Sequence, residues 1–130
     1  MIRIFATQKE FSEIEISGSH EELRYIEFTL KYISTTIELE ADQSSSPYPY
    51  ESLLSSLKVE VTEGPTCVSI DDNNLIIKGS RSNLQRLATF FHFLASETNG
   101  SHNHFEYFDG NKHIDTTSIP LIVSIDDQKA

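Results

Sequence analysis

The chain has 130 residues, the length of one ordinary domain, with 20 acidic residues against 10 basic ones and a net charge of −10. That charge repels nucleic acid and anionic membranes, and no stretch is apolar over the length of a membrane span. Residues 1–6 show no positive segment leading into a long apolar run, so no signal peptide is expected. Cys67 has no second cysteine to pair with, which suits a reducing compartment, and the expected location is the cytoplasm. The acids are uneven: residues 1–64 hold 12 against 5 bases, net −7, and residues 65–130 hold 8 against 5, net −3. Such a surplus attracts basic partners; its plain alternative is solubility.

In chain order, residues 2–5 form a short strand candidate. Residues 13–17 alternate, with Ile14 and Ile16 on one side and Glu13, Glu15 and Ser17 on the other, the pattern of a half-buried strand. Gly18 permits a corner, and Ser19 with Glu22 has capping-box spacing. A helix over about 20–35 follows, with Leu23, Ile26, Leu30 and Ile33 as its core stripe. Tyr25, Phe28 and Tyr32 lie about 140–200° around from Leu23. A helix apolar on two sides calls for a second contact, either the other helix of the chain or a partner. Residues 36–40 alternate again, placing Glu38 and Glu40 opposite Ile37 and Leu39. Residues 42–51 are a loop by composition, and its Pro-Tyr-Pro-Tyr run presents Tyr48 and Tyr50 on a stiff segment. Those tyrosines suit recognition or packing over a sheet edge. Residues 57–62 form a strand with Lys58 and Glu60 outward.

Gly64-Pro65 marks a join. Residues 67–70 and 75–78 read as a hairpin around Asp71-Asp72-Asn73-Asn74. Gly79-Ser80 is then a second Gly-Ser corner, 61 residues after the first. Ser80 with Asn83, or Ser82 with Gln85, supplies the helix cap. Leu84, Leu87, Phe91 and Leu94 repeat the stripe of the first helix, which predicts a helix running to about residue 97. Residues 102–108 form a strand with His102, His104 and Glu106 on one face and Phe105 and Tyr107 on the other. Residues 109–112 turn, and residues 120–126 close the sheet.

Each half therefore reads β-β-α-β-β, which predicts a single α+β domain, residues 1–130, built of two tandem repeats, 2–62 and 67–126. Helices and half-buried strands need one another's apolar faces. The expected fold is a mainly antiparallel sheet, or two half-sheets, with two helices packed on one face. In the first half the open side would carry Glu13, Glu15, Glu38, Glu40 and Glu60, with Lys58 as its lone base. These acids, with Tyr48 and Tyr50, are the candidate partner-binding residues.

Catalytic chemistry has little to stand on. His102, His104 and Glu106 share one strand face, a possible metal trio, with His113, Asp109 and Asp115 nearby. Ligands along one strand stand about 7 Å apart, so a third usually comes from elsewhere, and solvated surface histidines are favoured. The aligned strand of the first half has Thr36 and Glu38 where this one has His104 and Glu106. Cys67 lies in an apolar strand and reads as a buried structural thiol. A Gly-Ser corner without a Gly-rich loop or lysine reads as capping, not phosphate binding. No Ser-His-Asp pattern is present. The expectation is a non-catalytic protein without a cofactor.

Leu75-Ile76-Ile77-Lys78-Gly79-Ser80, Leu84, Leu87, Leu94-Ala95, His102-Asn103-His104-Phe105 and Pro120-Leu121-Ile122-Val123-Ser124-Ile125 carry a resemblance. Over about residues 67–126 the chain resembles the small α+β immunity proteins of bacterial polymorphic-toxin systems, in particular immunity family thirty-two. The first half matches only through the internal repeat and lacks the His-x-His, so a single-unit member would be half this length. The resemblance implies binding and neutralisation of a cognate protein toxin, often a basic nuclease. The alternatives are a metal-dependent hydrolase using His102, His104 and Glu106, and a structural module that dimerises through Tyr25, Phe28 and Tyr32.

Overall fold

Strands with one apolar side must place it against something, and here most of them place it against one shared core. The structure is a computed structural model and describes every residue except 8–11, 45 and 128–130. Its strands are β1 (Arg3–Thr7), β2 (Glu13–Gly18), β3 (Ile37–Glu40), β4 (Ser52–Leu53), β5 (Ser56–Val61), β6 (Cys67–Asp71), β7 (Asn74–Gly79), β8 (His102–Phe105) and β9 (Leu121–Ile125). Two helices, α1 (His20–Lys31) and α2 (Arg81–Ala88), complete it, the second followed by a 3-10 turn, Thr89–Phe91. The strands form two sheets, in the orders β4-β1-β2-β9-β8 and β3-β5-β7-β6. The α+β class, the mainly antiparallel pairing, the division into two sheets and the helices on one side agree with the sequence.

The chain crosses between the sheets. The hairpin β1–β2 joins the hairpin β8–β9 in one sheet, and β3–β5 joins β6–β7 in the other. Both junctions are parallel: β2 runs beside β9 with Gly18 opposite Ile125, and β5 beside β7 with Gly79 opposite Val61. Just past each glycine the pairing ends alike, Asp126 N–H on the Gly18 carbonyl at 2.7 Å and Thr62 N–H on that of Gly79 at 2.9 Å. Neither half of the chain owns a sheet.

Local chemistry sets the helix starts. Ser19 Oγ accepts the Glu22 amide at 3.1 Å while Glu22 Oε1 accepts the Ser19 amide at 2.9 Å, a full capping box. Ser80 caps α2 through the Asn83 amide at 3.2 Å, so of the two candidate caps the earlier one is used. The glycine before each serine serves close approach. A Cβ on Gly18 would stand 3.2 Å from Ile2 Cγ2, and one on Gly79 would stand 2.9 Å from Thr66 Oγ1.

Differences from the sequence fall in both halves: α1 ends at Lys31, short of the expected residue 35, with Ile33 buried beyond its end. The helix α2 stops at Ala88 instead of residue 97. Thr89, Phe90 and Phe91 tighten into the 3-10 turn, Phe90 sets its ring edge-on to Phe105 at 5.0 Å, and Asn103 holds the Phe90 carbonyl at 2.9 Å. Phe91 still reaches the core, but Leu94, expected in the stripe, is 60% exposed. Its counterpart Ile33 is buried. Strand β8 ends at Phe105, three residues early, and β4, just past the expected loop, pairs with the edge of β1. Cys67 is half-buried near Thr117 Oγ1 at 3.8 Å, on the outward side of β6, not in the core.

Candidate functional site

The candidate binding glutamates are divided between two sheets. Because the hairpins of the first half part company, Glu13 and Glu15 stand on the outer side of the five-stranded sheet. Glu38, Glu40 and Glu60 stand on that of the four-stranded one. The second group is electrically mixed. Lys58 lies 3.2 Å from Glu60, Lys78 lies 3.8 Å from it, and Glu38 is register partner to Lys58. Glu38 and Glu40 are the exposed pair, on edge strand β3.

On the other sheet, Glu15 is held by hydroxyls. Tyr50 donates to Glu15 Oε1 at 2.7 Å and lies 3.3 Å from Glu13 Oε1, and Ser124 donates to Glu15 Oε2 at 2.6 Å. The Tyr50 ring stacks on Phe5 at 5.6 Å. Burial first, and then Glu15 and Glu13, push the Tyr50 phenol well above its ordinary value, so it stays a donor. Tyr50 thus packs over the sheet, while Tyr48 in the same loop is exposed. The sequence signals only that both are tyrosines between prolines; it does not separate their roles. The same surface holds Arg3, paired with Asp126, which sequence reasoning missed because the partners lie at opposite ends of the chain.

The histidines fall short of a metal trio. His102 and His104 are neighbours with ring centres 4.9 Å apart, but Glu106 lies beyond the end of β8. His102 Nδ1 faces the Gly100 carbonyl at 2.9 Å, and His113 Nδ1 faces Asn83 Oδ1 at 3.1 Å. Among the described residues no three of His, Cys, Asp and Glu stand where they could hold a metal ion. Register also revises the alignment of the halves. Glu38 opposes Lys58 as His104 opposes Ile122, and Lys58 and Ile122 sit at matching steps of β5 and β9, so Glu38 corresponds to His104 and not to Glu106.

Two further groups were not singled out as a pair. Asp42 Oδ1 accepts the amide and hydroxyl of Ser44 at 2.8 and 2.6 Å, and Asp115 Oδ1 accepts those of Thr117 at the same distances. These bonds hold both carboxyls below the ordinary aspartate value of 3.8. The signal was an Asp-x-Ser/Thr triplet in each half, hidden by unequal loop lengths. The aromatic stripe of α1 stays largely exposed among the described residues: Tyr25, Phe28 and Tyr32 are 59%, 63% and 63% exposed. The helices meet instead through Gln85 on the Lys31 carbonyl at 3.1 Å and His92 beside Glu27 at 3.1 Å.

The geometry defines an α+β fold in which hydroxyls hold Glu15 and lysines flank Glu60, with an exposed aromatic helix face. Residues 74–125, from β7 to β9, match the family Immunity protein 32. That match bears out the resemblance carried by Leu75–Ser80, His102–Phe105 and the last strand, over the second half alone. No curated protein and no solved structure matches the chain. No helix among the described residues is long and apolar enough to cross a membrane.

Proposed function

We propose that the protein is a non-catalytic immunity protein that binds a cognate bacterial toxin in the cytoplasm and neutralises it by covering a basic site. The observation that carries this is the match of residues 74–125 to Immunity protein 32; the net charge of −10 supports a basic partner independently. Glu38 and Glu40 on the exposed edge strand lead the encounter, with Tyr48 as an apolar anchor. Glu13, Glu15, Glu60 and Tyr50 belong to surfaces already tied internally and play a lesser part. We propose further that the domain is a tandem duplication of units 2–62 and 67–126. The parallel junctions, the two Gly-Ser corners and the paired aspartate turns support it.

The test is capture of the partner from the native host, co-expression with it, and association kinetics on the purified pair. Survival of the host and a rate that falls steeply with salt are expected. Glu38→Lys with Glu40→Lys should slow association about tenfold or more at low salt while leaving folding intact. An unchanged on-rate would reduce the acidity to solubility, and failure to protect the host would end the proposal. A second reading, homodimerisation through Tyr25, Phe28 and Tyr32, is favoured by their exposure. Sedimentation of the free chain separates the two.

A further inference from the structure

Matching positions in the two halves treat one groove differently. Ile2 and Thr66 stand one residue before β1 and β6, each against the glycine that ends the neighbouring strand. Each carbonyl accepts the same kind of bond, Ile2 from the Asp42 amide and Thr66 from the Asp115 amide, both at 2.8 Å. Those are the aspartates with matching hydroxyl turns. The residue before each aspartate therefore occupies a corresponding place: Ala41 in the first half, Ile114 in the second.

In the second half the chain itself covers the floor between helix and edge strand, leaving a recess lined by Arg86, Phe90, Phe105 and Ile114. Ile114 is buried beside Thr66, whose amide donates to the His113 carbonyl at 2.8 Å, and His113 rests on Asn83. Phe90, ten residues after its capping serine, packs on Phe105, which is buried. In the first half Ala41 and Thr29 stand at the corresponding positions and carry smaller side chains. A groove remains between α1 and β3, floored by Ile2, Ile26 and Leu39, walled by Tyr25 and Met1, and rimmed by Glu21 and Glu40. Glu22 also lines it, paired with the N-terminal ammonium at 2.6 Å. Leu39, unlike Phe105, is left half-exposed.

We propose that this groove is a docking site for a large apolar side chain carried on a Lys- or Arg-bearing segment of the partner protein, seated where Ile114 and Phe90 sit in the other half. An apolar floor with a carboxylate on each side fits an apolar anchor between cations. The inference rests on the partner-binding reading above and adds the place and chemistry of the anchor.

The experiment follows amide shifts of the labelled chain titrated with acetyl-Lys-Phe-Lys-amide, using acetyl-Glu-Phe-Glu-amide and acetyl-Lys-Gly-Lys-amide as controls. Saturable shifts confined to Tyr25, Ile26, Leu39 and Glu40, at least tenfold weaker with either control and lost in Glu21→Lys with Tyr25→Ala, are expected. Shifts seated elsewhere, or equal shifts with the controls, overturn the proposal. Concentration-dependent shifts of the same amides without peptide overturn it too, by giving the groove to a second copy. In the toxin assay, undiminished protection by that double variant overturns the groove and leaves the inhibitor standing. Peptide in the groove of a chain that protects nothing does the reverse.

Discussion

At the scale of single residues, the two corner glycines share a role but not a tolerance. A Cβ on Gly79 would meet Thr66 at Oγ1 and at the backbone Cα, 2.9 and 3.1 Å away. Thr66 is also pinned on both sides, its amide to His113 and its carbonyl to Asp115, so it has little room to yield. A Cβ on Gly18 would meet only side-chain atoms, Ile2 Cγ2 at 3.2 Å and Glu22 at 3.3 Å, which can turn aside. Gly79→Ala should therefore cost about 1–3 kcal/mol as an overpacking change, and Gly18→Ala clearly less. Chemical denaturation of the two variants measures the difference. Equal losses would mean that the crossing at Thr66 adjusts as freely as the one at Ile2.

At the scale of elements, what was legible followed from chemistry close in sequence. The capping box of α1, the alternation in β2 and β5 and the hairpin around Asp72 need only neighbours a few residues away, and they stand where the sequence puts them. The end of α2 depends on Phe105, which is distant in sequence. Nothing in Thr89-Phe90-Phe91 announces that Phe90 will leave the helix to meet that ring. The apolar stripe was read through to Leu94 for the same reason: periodicity reports a face, not where the face stops. Among the binding residues, the outward direction of the glutamates was legible from alternation. Their division between sheets was not, because it depends on which hairpins pair. A truncation series reads the helix end directly. Leu87→Ala removes a fully buried side chain and should cost about 2–5 kcal/mol, as should Leu30→Ala, whereas Leu94→Ala should stay within about 0.5 kcal/mol. A large loss at Leu94 would restore the longer helix.

At the scale of the whole molecule, the parallel junctions bind the halves more closely than a tandem arrangement requires. Residues 65–130 supply the hairpin β6–β7 to one sheet and β8–β9 to the other, and each hairpin lies against a strand from residues 1–64. A fragment of residues 65–130 alone would expose the inner edges of β7 and β9 and the flank of α2 that α1 covers. Hairpins standing alone are marginal in water, and a chain of this length buries too little apolar surface to compensate. It has one remedy that the full structure suggests. The edge of β9 faces β2, in which Ile14, Ile16 and Gly18 point as Leu75, Ile77 and Gly79 do in β7. A second copy can offer its β7 in place of β2 and its β9 in place of β5, closing both sheets by a true two-fold. Residues 65–130 should thus be unfolded at low concentration and fold as a homodimer at higher concentration. Added residues 1–64 should displace one copy. Light scattering across a dilution series, with circular dichroism on the same samples, follows both steps. A folded monomer of residues 65–130 would show that one half is self-sufficient and that its partnership with the other is packing without interdependence.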